Sequence, residues 1–337
     1  MLSVEYMQKK RTIISRTPVR ITFVGGGTDI PEYYKNNARM GAVISAAIDK
    51  YVYIIVHKSF DDTIRLGYSK TEIVNALEDI KHPLIRESLK FLDIDGGVEI
   101  HSLADIPSEG TGLGSSSCYL VGLLNALHAW KGEYATPLEL AQEAVHIERN
   151  ILKEAGGRQD QYIAAFGGIQ FMKFKEDDTV DMIPIIMSEE SRKKLQNSLL
   201  LLYTGVQRSS IDIHKKQVLK IQNYMVEYDK MVLIANKMFE DLTNQKWSTI
   251  GKYLNENWLI KRELSDGITN QIIDKYYERG MKVGAEGGKI IGAGGGGFML
   301  FFAPQEKHPS IINELNELRH VPFKFTEWGS RIIYVGD

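Results

Sequence analysis

Three glycine-rich stretches, each beside an apolar run of strand character, constrain this chain more than any other feature. They are Gly25-Gly26-Gly27-Thr28-Asp29, Gly110-Thr111-Gly112-Leu113-Gly114-Ser115-Ser116-Ser117 and Gly292-Ala293-Gly294-Gly295-Gly296-Gly297. Glycine reaches positive φ without steric cost and lets backbone come close to another group. One such loop could be a turn. Three of them predict backbone converging on something bulky and anionic. The middle loop runs into Leu120, Leu123, Leu124, Leu127 and Trp130, which recur at helical spacing from Ser117 onward. Successive amides from Gly112 to Ser117 at a helix start form an anion site. The hydroxyls of Ser115 and Ser116 suit Mg²⁺, as a P-loop Ser/Thr does. The plain alternative is a helix N-cap, which needs one serine and no glycines.

The third loop satisfies G-x-G-x-x-G through Gly292, Gly294 and Gly297, but a polyglycine run fits almost any glycine pattern. A dinucleotide fingerprint also needs a helix next. Phe298-Met299-Leu300-Phe301-Phe302 reads instead as a strand, which argues against a nicotinamide oxidoreductase. A bare hairpin turn needs only two glycines, so the excess points to close approach to a ligand or to another loop. No G-x-x-x-x-G-K-[ST] occurs, which excludes an ordinary P-loop.

With 337 residues the chain predicts two domains, because single cores stop growing near this size. A net charge of −2 gives no bulk attraction to nucleic acid or anionic membrane, so phosphate binding must come from local geometry. The single cysteine, Cys118, excludes an intrachain disulfide framework and a cysteine zinc site, and it suits a reducing cytosol. The start of the chain lacks a signal-peptide core, and no run approaches the roughly 20 apolar residues of a membrane span. A cytoplasmic protein, monomer or homodimer, is expected.

Strands are predicted at Ile21 to Val24, Tyr51 to Val56, around Val98 and Ile100, at Leu199 to Tyr203, at Lys289 to Ile291 and at Phe298 to Phe302, with a closing strand carrying Phe323 and Phe325. Thr136, Pro137 and Glu139 mark a capped helix start. Its buried stripe is Ala141, Val145 and Leu152, and Glu148 lies on the same stripe, where a carboxylate is costly without a partner. Further helices carry Met231, Ala235, Met238 and Leu242 on one face, end near Gly280, and start near Pro309. Charged segments at 175–195 suggest a boundary, giving domains 12–190 and 191–337 of α+β class. Asp160 precedes a helix at Tyr162 to Phe166, where it could be simply an N-cap, and Glu148 could be simply one half of a buried ion pair with an arginine. Beside a phosphate loop, the two acids suit phosphoryl transfer, which needs a carboxylate on a metal and another near the acceptor hydroxyl.

At this point the three blocks resemble the GHMP kinases. Pro107-Ser108-Glu109-Gly110-Thr111-Gly112-Leu113-Gly114-Ser115-Ser116-Ser117 resembles that family's P-x-x-x-G-L-G-S-S motif. Pro18-Val19-Arg20 through Gly27-Thr28-Asp29 resembles the first motif of its sugar kinases, and Lys289 through Gly297 resembles the third. Gly157-Arg158-Gln159-Asp160-Gln161-Tyr162 and Phe166-Gly167-Gly168-Ile169 extend the similarity toward sugar kinases whose acceptor already carries a phosphate. The resemblance implies an N-terminal domain like the second domain of ribosomal protein S5 and a ferredoxin-like C-terminal domain. It implies that Pro107 and Gly110 to Ser117 wrap the phosphates of ATP, and that Ser116 and Glu148 hold Mg²⁺. Asp160 would meet the acceptor hydroxyl, assisted by Arg20. Gly26, Gly27, Thr28, Asp29, Gly294, Gly295 and Gly296 would line the acceptor pocket, and Arg16, Arg158, Arg208, Lys261 and Arg262 are candidates for the acceptor's own phosphate, Arg208 and Lys261 favoured because they lie in the C-terminal block. The small-molecule partner would be a sugar phosphate. A non-catalytic sugar sensor is the remaining alternative, and Ser116, Glu148 and Asp160 together argue against it.

Overall fold

The computed structural model describes residues 12–36, 38–107, 110–206 and 210–336. In chain order the first half comprises β1 (Ile13–Val24), α1 (Pro31–Tyr34), β2 (Gly41–Lys58), β3 (Ile64–Gly67), β4 (Thr71–Val74), α2 (Pro83–Phe91), β5 (Val98–Ala104) and α3 (Ser115–Lys131). It continues with α4 (Pro137–Val145), α5 (Gln159–Phe166), β6 (Ile169–Phe174) and β7 (Val180–Pro184). The second half comprises α6 (Glu189–Asn197), β8 (Leu199–Tyr203), α7 (Ser210–Lys220), α8 (Met225–Thr243), α9 (Ile250–Lys261) and α10 (Gln271–Lys282). It ends with β9 (Gly287–Ile290), β10 (Phe298–Phe302), α11 (His308–Glu314), β11 (Arg319–His320) and β12 (Arg331–Val335).

The strands form two sheets, as expected of two α+β units. The first runs β12-β1-β2-β5-β3-β4 and branches at β2. Residues 41–46 of β2 pair with β6, and residues 52–58 pair with β5. The sequence of β2 reflects that division. Its first eight residues are all buried, whereas Val52, Ile54 and Val56 alternate with less buried neighbours. The second sheet runs β11-β8-β10-β9 and is antiparallel throughout.

Helix α3 is buried along most of its length, with Leu120, Val121, Leu123, Leu124 and Leu127 all fully enclosed. Each such side chain contributes about 1.5–3 kcal/mol on burial. The Ser15 hydroxyl of β1 donates to the Gly122 carbonyl of α3 at 2.7 Å, so helix and strand sit in close register. That register delivers the middle glycine loop to one end of β1. Cys118 is sealed in the same layer. Its Sγ donates to the carbonyls of Thr17 and Pro18, and burial pushes the thiol pKa up.

Two expectations change. The segment carrying Phe323 and Phe325 is irregular, joined to the first sheet by a single bridge between Ile48 and Phe325. Both rings are buried, so the F-x-F alternation records burial without a ladder. The last strand is instead Arg331–Val335, which returns to pair with β1. Positions 190 and 191, where a boundary was expected, lie inside α6, whose Gln196 reaches Phe323 and Phe325. The charged run there is a capped helix and its approach, not a linker.

Candidate active site

The middle loop enters α3 through Gly114, whose φ of 74° is left-handed and which makes no side-chain cap. The N-cap alternative for the serines therefore does not hold. α3 begins at Ser115, slightly earlier than the apolar spacing indicated. A cleft of about 640 Å³ opens here, lined by Gly110, Thr111, Gly112, Gly114, Ser115, Ser116 and Ser117.

The close approach expected of the third loop is to the middle one. A side chain on Gly112 would strike the Ile291 carbonyl at 2.3 Å, and one on Gly297 would strike the Thr111 carbonyl at 2.1 Å. Backbone lies on backbone, which only glycine permits. The two loops buttress each other, and α9 ties the arrangement to the first loop. Asn257 accepts from the Gly25 amide at 2.9 Å, and Lys261, one turn on, donates to the Gly292 carbonyl at 2.9 Å.

β1 brings Arg20 to the floor of the cleft. Its guanidinium donates to both oxygens of Asp160, at 2.8 and 2.7 Å, and a third bond goes to the Gly112 carbonyl. The backbone amide of Arg20 donates to Leu113 at 3.1 Å. One residue thus fixes strand, phosphate loop and carboxylate. Asp160 lies in the first turn of α5, but the N-cap position is Arg158. A side chain on Gly114 would sit 2.9 Å from Asp160 Oδ2, so the acid rests on the loop backbone.

Glu148 is reached differently. After α4 the helix widens into a π turn, His146–Ile151, and the Leu152 amide bonds back to the Ile147 carbonyl at 2.9 Å. Such bulges re-aim side chains and recur at functional sites. Glu148 is 3% exposed and lines the cleft. Its partners are neutral: the Ser117 hydroxyl donates to its two oxygens at 2.9 and 3.2 Å, and the Gln161 amide donates to Oε2. Among the described residues no ion pair reaches it, so the arginine-pair alternative also fails. Burial pushes its carboxyl up to about 7. A cation beside it would reverse that penalty, which fits Mg²⁺. That ion takes one or two carboxylates plus phosphate oxygens and water. Among the described residues no group of three or more His, Cys, Asp or Glu side chains is arranged to hold a metal ion by itself. The hydroxyl touching Glu148 belongs to Ser117, whereas Ser116 is exposed along the same cleft.

Gly26, Gly27 and Asp29 line the cleft, as does Lys261. Asp29 is 1% exposed, and its oxygens already accept from the amides of Gly27 at 2.8 Å and Gln159 at 3.0 Å. Several expected residues lie elsewhere. Arg16 packs over the Tyr51 ring at 4.6 Å. Thr28 exchanges hydrogen bonds with Ala42, and Leu113 is core. Pro107 is exposed outside the cleft. From the third loop Gly292 and Ala293 reach the cleft, while Gly294 and Gly295 pack on Ile268 and Gly296 on Val206. Only the tip of the hairpin turns away, and Gly297 returns to the middle loop. Arg208 lies outside the described residues.

Sequence reasoning missed Lys289. It is 1% exposed, and its ammonium donates to the carbonyls of Thr22 and Phe23, both at 2.9 Å. Burial, then Lys261 and Arg20, hold its pKa well below the ordinary lysine value. A lone lysine inside an apolar strand was the available signal. Gln161, Arg149, His214 and Gln217 also line the cleft, and no pattern in the sequence marked the last three.

Comparison with known proteins decides the lineage. The model for the GHMP kinases N terminal domain matches residues 73–168, and that for the GHMP kinases C terminal domain matches 238–319. The chain belongs to the GHMP kinase family. It is 31% identical to a D-glycero-alpha-D-manno-heptose 7-phosphate kinase of Campylobacter jejuni, covering 95% of this chain and 98% of that one. It is 27% identical to a bifunctional fucokinase/GDP-fucose pyrophosphorylase of Arabidopsis thaliana, covering 95% of this chain but 32% of the larger protein. A D-glycero-D-manno-heptose 1-phosphate kinase from Bacteriodes thetaiotaomicron superposes with a TM-score of 0.80 at 23% identity, covering 96% of this chain and 100% of that one. The two-domain GHMP kinase fold and phosphotransferase activity are therefore properties of this chain. In GHMP kinase terms, the cleft joins the family's three motifs at one place.

Proposed function

We propose that the chain is an ATP-dependent sugar kinase that phosphorylates the anomeric hydroxyl of D-glycero-α-D-manno-heptose 7-phosphate, giving the 1,7-bisphosphate on a route to GDP-activated heptose. The observation that carries the reading is the bidentate Arg20–Asp160 pair seated on the phosphate loop, in one cleft with the buried Glu148. The C. jejuni relative supports the heptose acceptor.

The amides opening α3 bind the phosphates of ATP. Glu148, with the hydroxyl of Ser116 or Ser117, would hold Mg²⁺, which neutralises charge on the phosphate oxygens when bound. Arg20 takes one lone pair from each oxygen of Asp160 and leaves the others to the cleft. Asp160 then accepts the hydroxyl proton or stabilises the alkoxide as the oxygen attacks in line. Stacked glycine loops suit this chemistry, which consists mostly of positioning and charge stabilisation. Lys261 is the described cation best set to meet the phosphate that the acceptor already carries. The fucokinase relative supports a second reading, a fucokinase-like or galactokinase-like sugar-1-kinase. A non-catalytic sensor is the third.

ADP release measured with heptose 7-phosphate, mannose, fucose, galactose and mevalonate separates these readings. Phosphorus NMR of the product then locates the new phosphate. Turnover confined to heptose 7-phosphate with a new anomeric phosphate is expected. Preference for fucose or galactose selects the second reading, and no turnover with any acceptor selects the sensor.

A further inference from the structure

One wall of the cleft comes from none of the three glycine motifs. Helix α7 turns Ile211, His214 and Gln217 toward it, spaced three residues apart along one helix face. Gln217 differs from its neighbours on that face. It is 1% exposed, yet its Nε2 finds no hydrogen-bond acceptor among the described residues. That nitrogen lies 3.1 Å from the point where a side chain would leave Gly27, and the Tyr228 ring lies 3.3 Å from the same point. The amide therefore rests against the first glycine loop, two residues from Asp29. The Tyr228 ring is held by stacking on Tyr33, with centroids 5.2 Å apart. Gln217 sits near enough to bias the Tyr228 phenol, but the two form no hydrogen bond of ordinary geometry.

A buried donor without a partner is costly, and leucine in the same space would avoid that cost. The cost falls at the cleft edge, where a bound molecule removes it. Asp29 is differently placed, because both of its oxygens already hold backbone amides. A primary amide offers two donors and an acceptor, which matches a hydroxyl, itself both donor and acceptor. A phosphate needs donors alone and would be served as well by lysine or arginine. We propose that Gln217 is a specificity-determining residue whose side-chain amide hydrogen-bonds a hydroxyl of the acceptor beside the first glycine loop. The inference rests on the reading above that the acceptor is a polyhydroxylated sugar.

The test pairs Gln217→Leu with the accepted sugar and its monodeoxy analogues. Removing the amide should lower kcat/KM for the parent sugar roughly 10-fold or more, mainly through KM, while KM for ATP stays within about twofold. One analogue, lacking the contacted hydroxyl, should be disfavoured by wild type yet be used by the variant nearly as well as the parent sugar. A merely structural role would lower all acceptors alike. If the leucine variant discriminates among the analogues as wild type does, the proposal is overturned. Should that variant fail to fold, Gln217→Met, of similar length and without the amide, is carried through the series, and unchanged ratios there overturn it equally. Failure of the sugar-kinase reading itself would already be visible in the wild-type acceptor panel. If another alcohol is accepted there, its deoxy form serves in the same comparison.

Discussion

Replacing Glu148 by glutamine should stabilise the metal-free protein while raising its Mg²⁺ requirement. Burial raises this carboxyl from 4.5 to about 7 in the folded state. Between those values the folded protein holds a proton that the unfolded chain has lost. Stability therefore falls as pH rises through that window and is level above it. At about 1.4 kcal/mol per pH unit, the whole effect is roughly 3 kcal/mol. Glutamine has no such proton to lose. Its amide can keep the local bonds, with its oxygen accepting from Gln161 and its nitrogen donating to the Ser117 hydroxyl, which can reverse its role. Urea unfolding with EDTA, at about pH 5 and about pH 8, isolates this group as the difference between variant and wild type. The variant should match wild type near pH 5 and exceed it by roughly 3 kcal/mol near pH 8. Equal stability differences at both pH values would refute the desolvation argument. In kinetic assays the same variant should need far more Mg²⁺.

Asp160→Asn should lower turnover by about 10² to 10⁴ while ATP still binds, measured by single-turnover kinetics and nucleotide titration. Gly114→Ala places a methyl group 2.9 Å from Asp160 Oδ2 at a φ of 74°, so kcat should fall sharply with the circular dichroism spectrum unchanged. Thr136→Ala removes the hydroxyl that accepts from Glu139, at 3.2 Å, in the capping box of α4. It should cost about 1 kcal/mol in denaturant unfolding without altering KM for either substrate.

Much of the candidate cleft was legible because its lining is largely glycine backbone, which leaves a pattern in the sequence. The glycines of the middle loop and the helix after it stood out directly, whereas the two acids each had a plain structural explanation and gained meaning only beside that loop. The capping box at Thr136 was equally readable, being local to four residues. Ser116 and Ser117 were separable only in three dimensions, since one helical position decides which hydroxyl turns to Glu148. Gly294 to Gly296 looked the same as Gly292, but the tip of the hairpin packs on Ile268 and Val206 instead of the cleft. Gln217 lies far along the chain from the first glycine loop that it faces, on an ordinary amphipathic helix, and carries no local signature.

The amino-acid sequence by itself determined the family, the order of the glycine loops, and which acids and which arginine are the candidates for the chemistry, because each depends on residue type and short-range spacing. The tertiary structure alone decided that Arg20 and Asp160 meet as a bidentate pair, that Glu148 is buried among neutral partners, and that the chain's final strand closes on its first. Those outcomes come from contacts between segments more than a hundred residues apart, or from a helix that widens by one residue, and side-chain direction there follows packing rather than pattern.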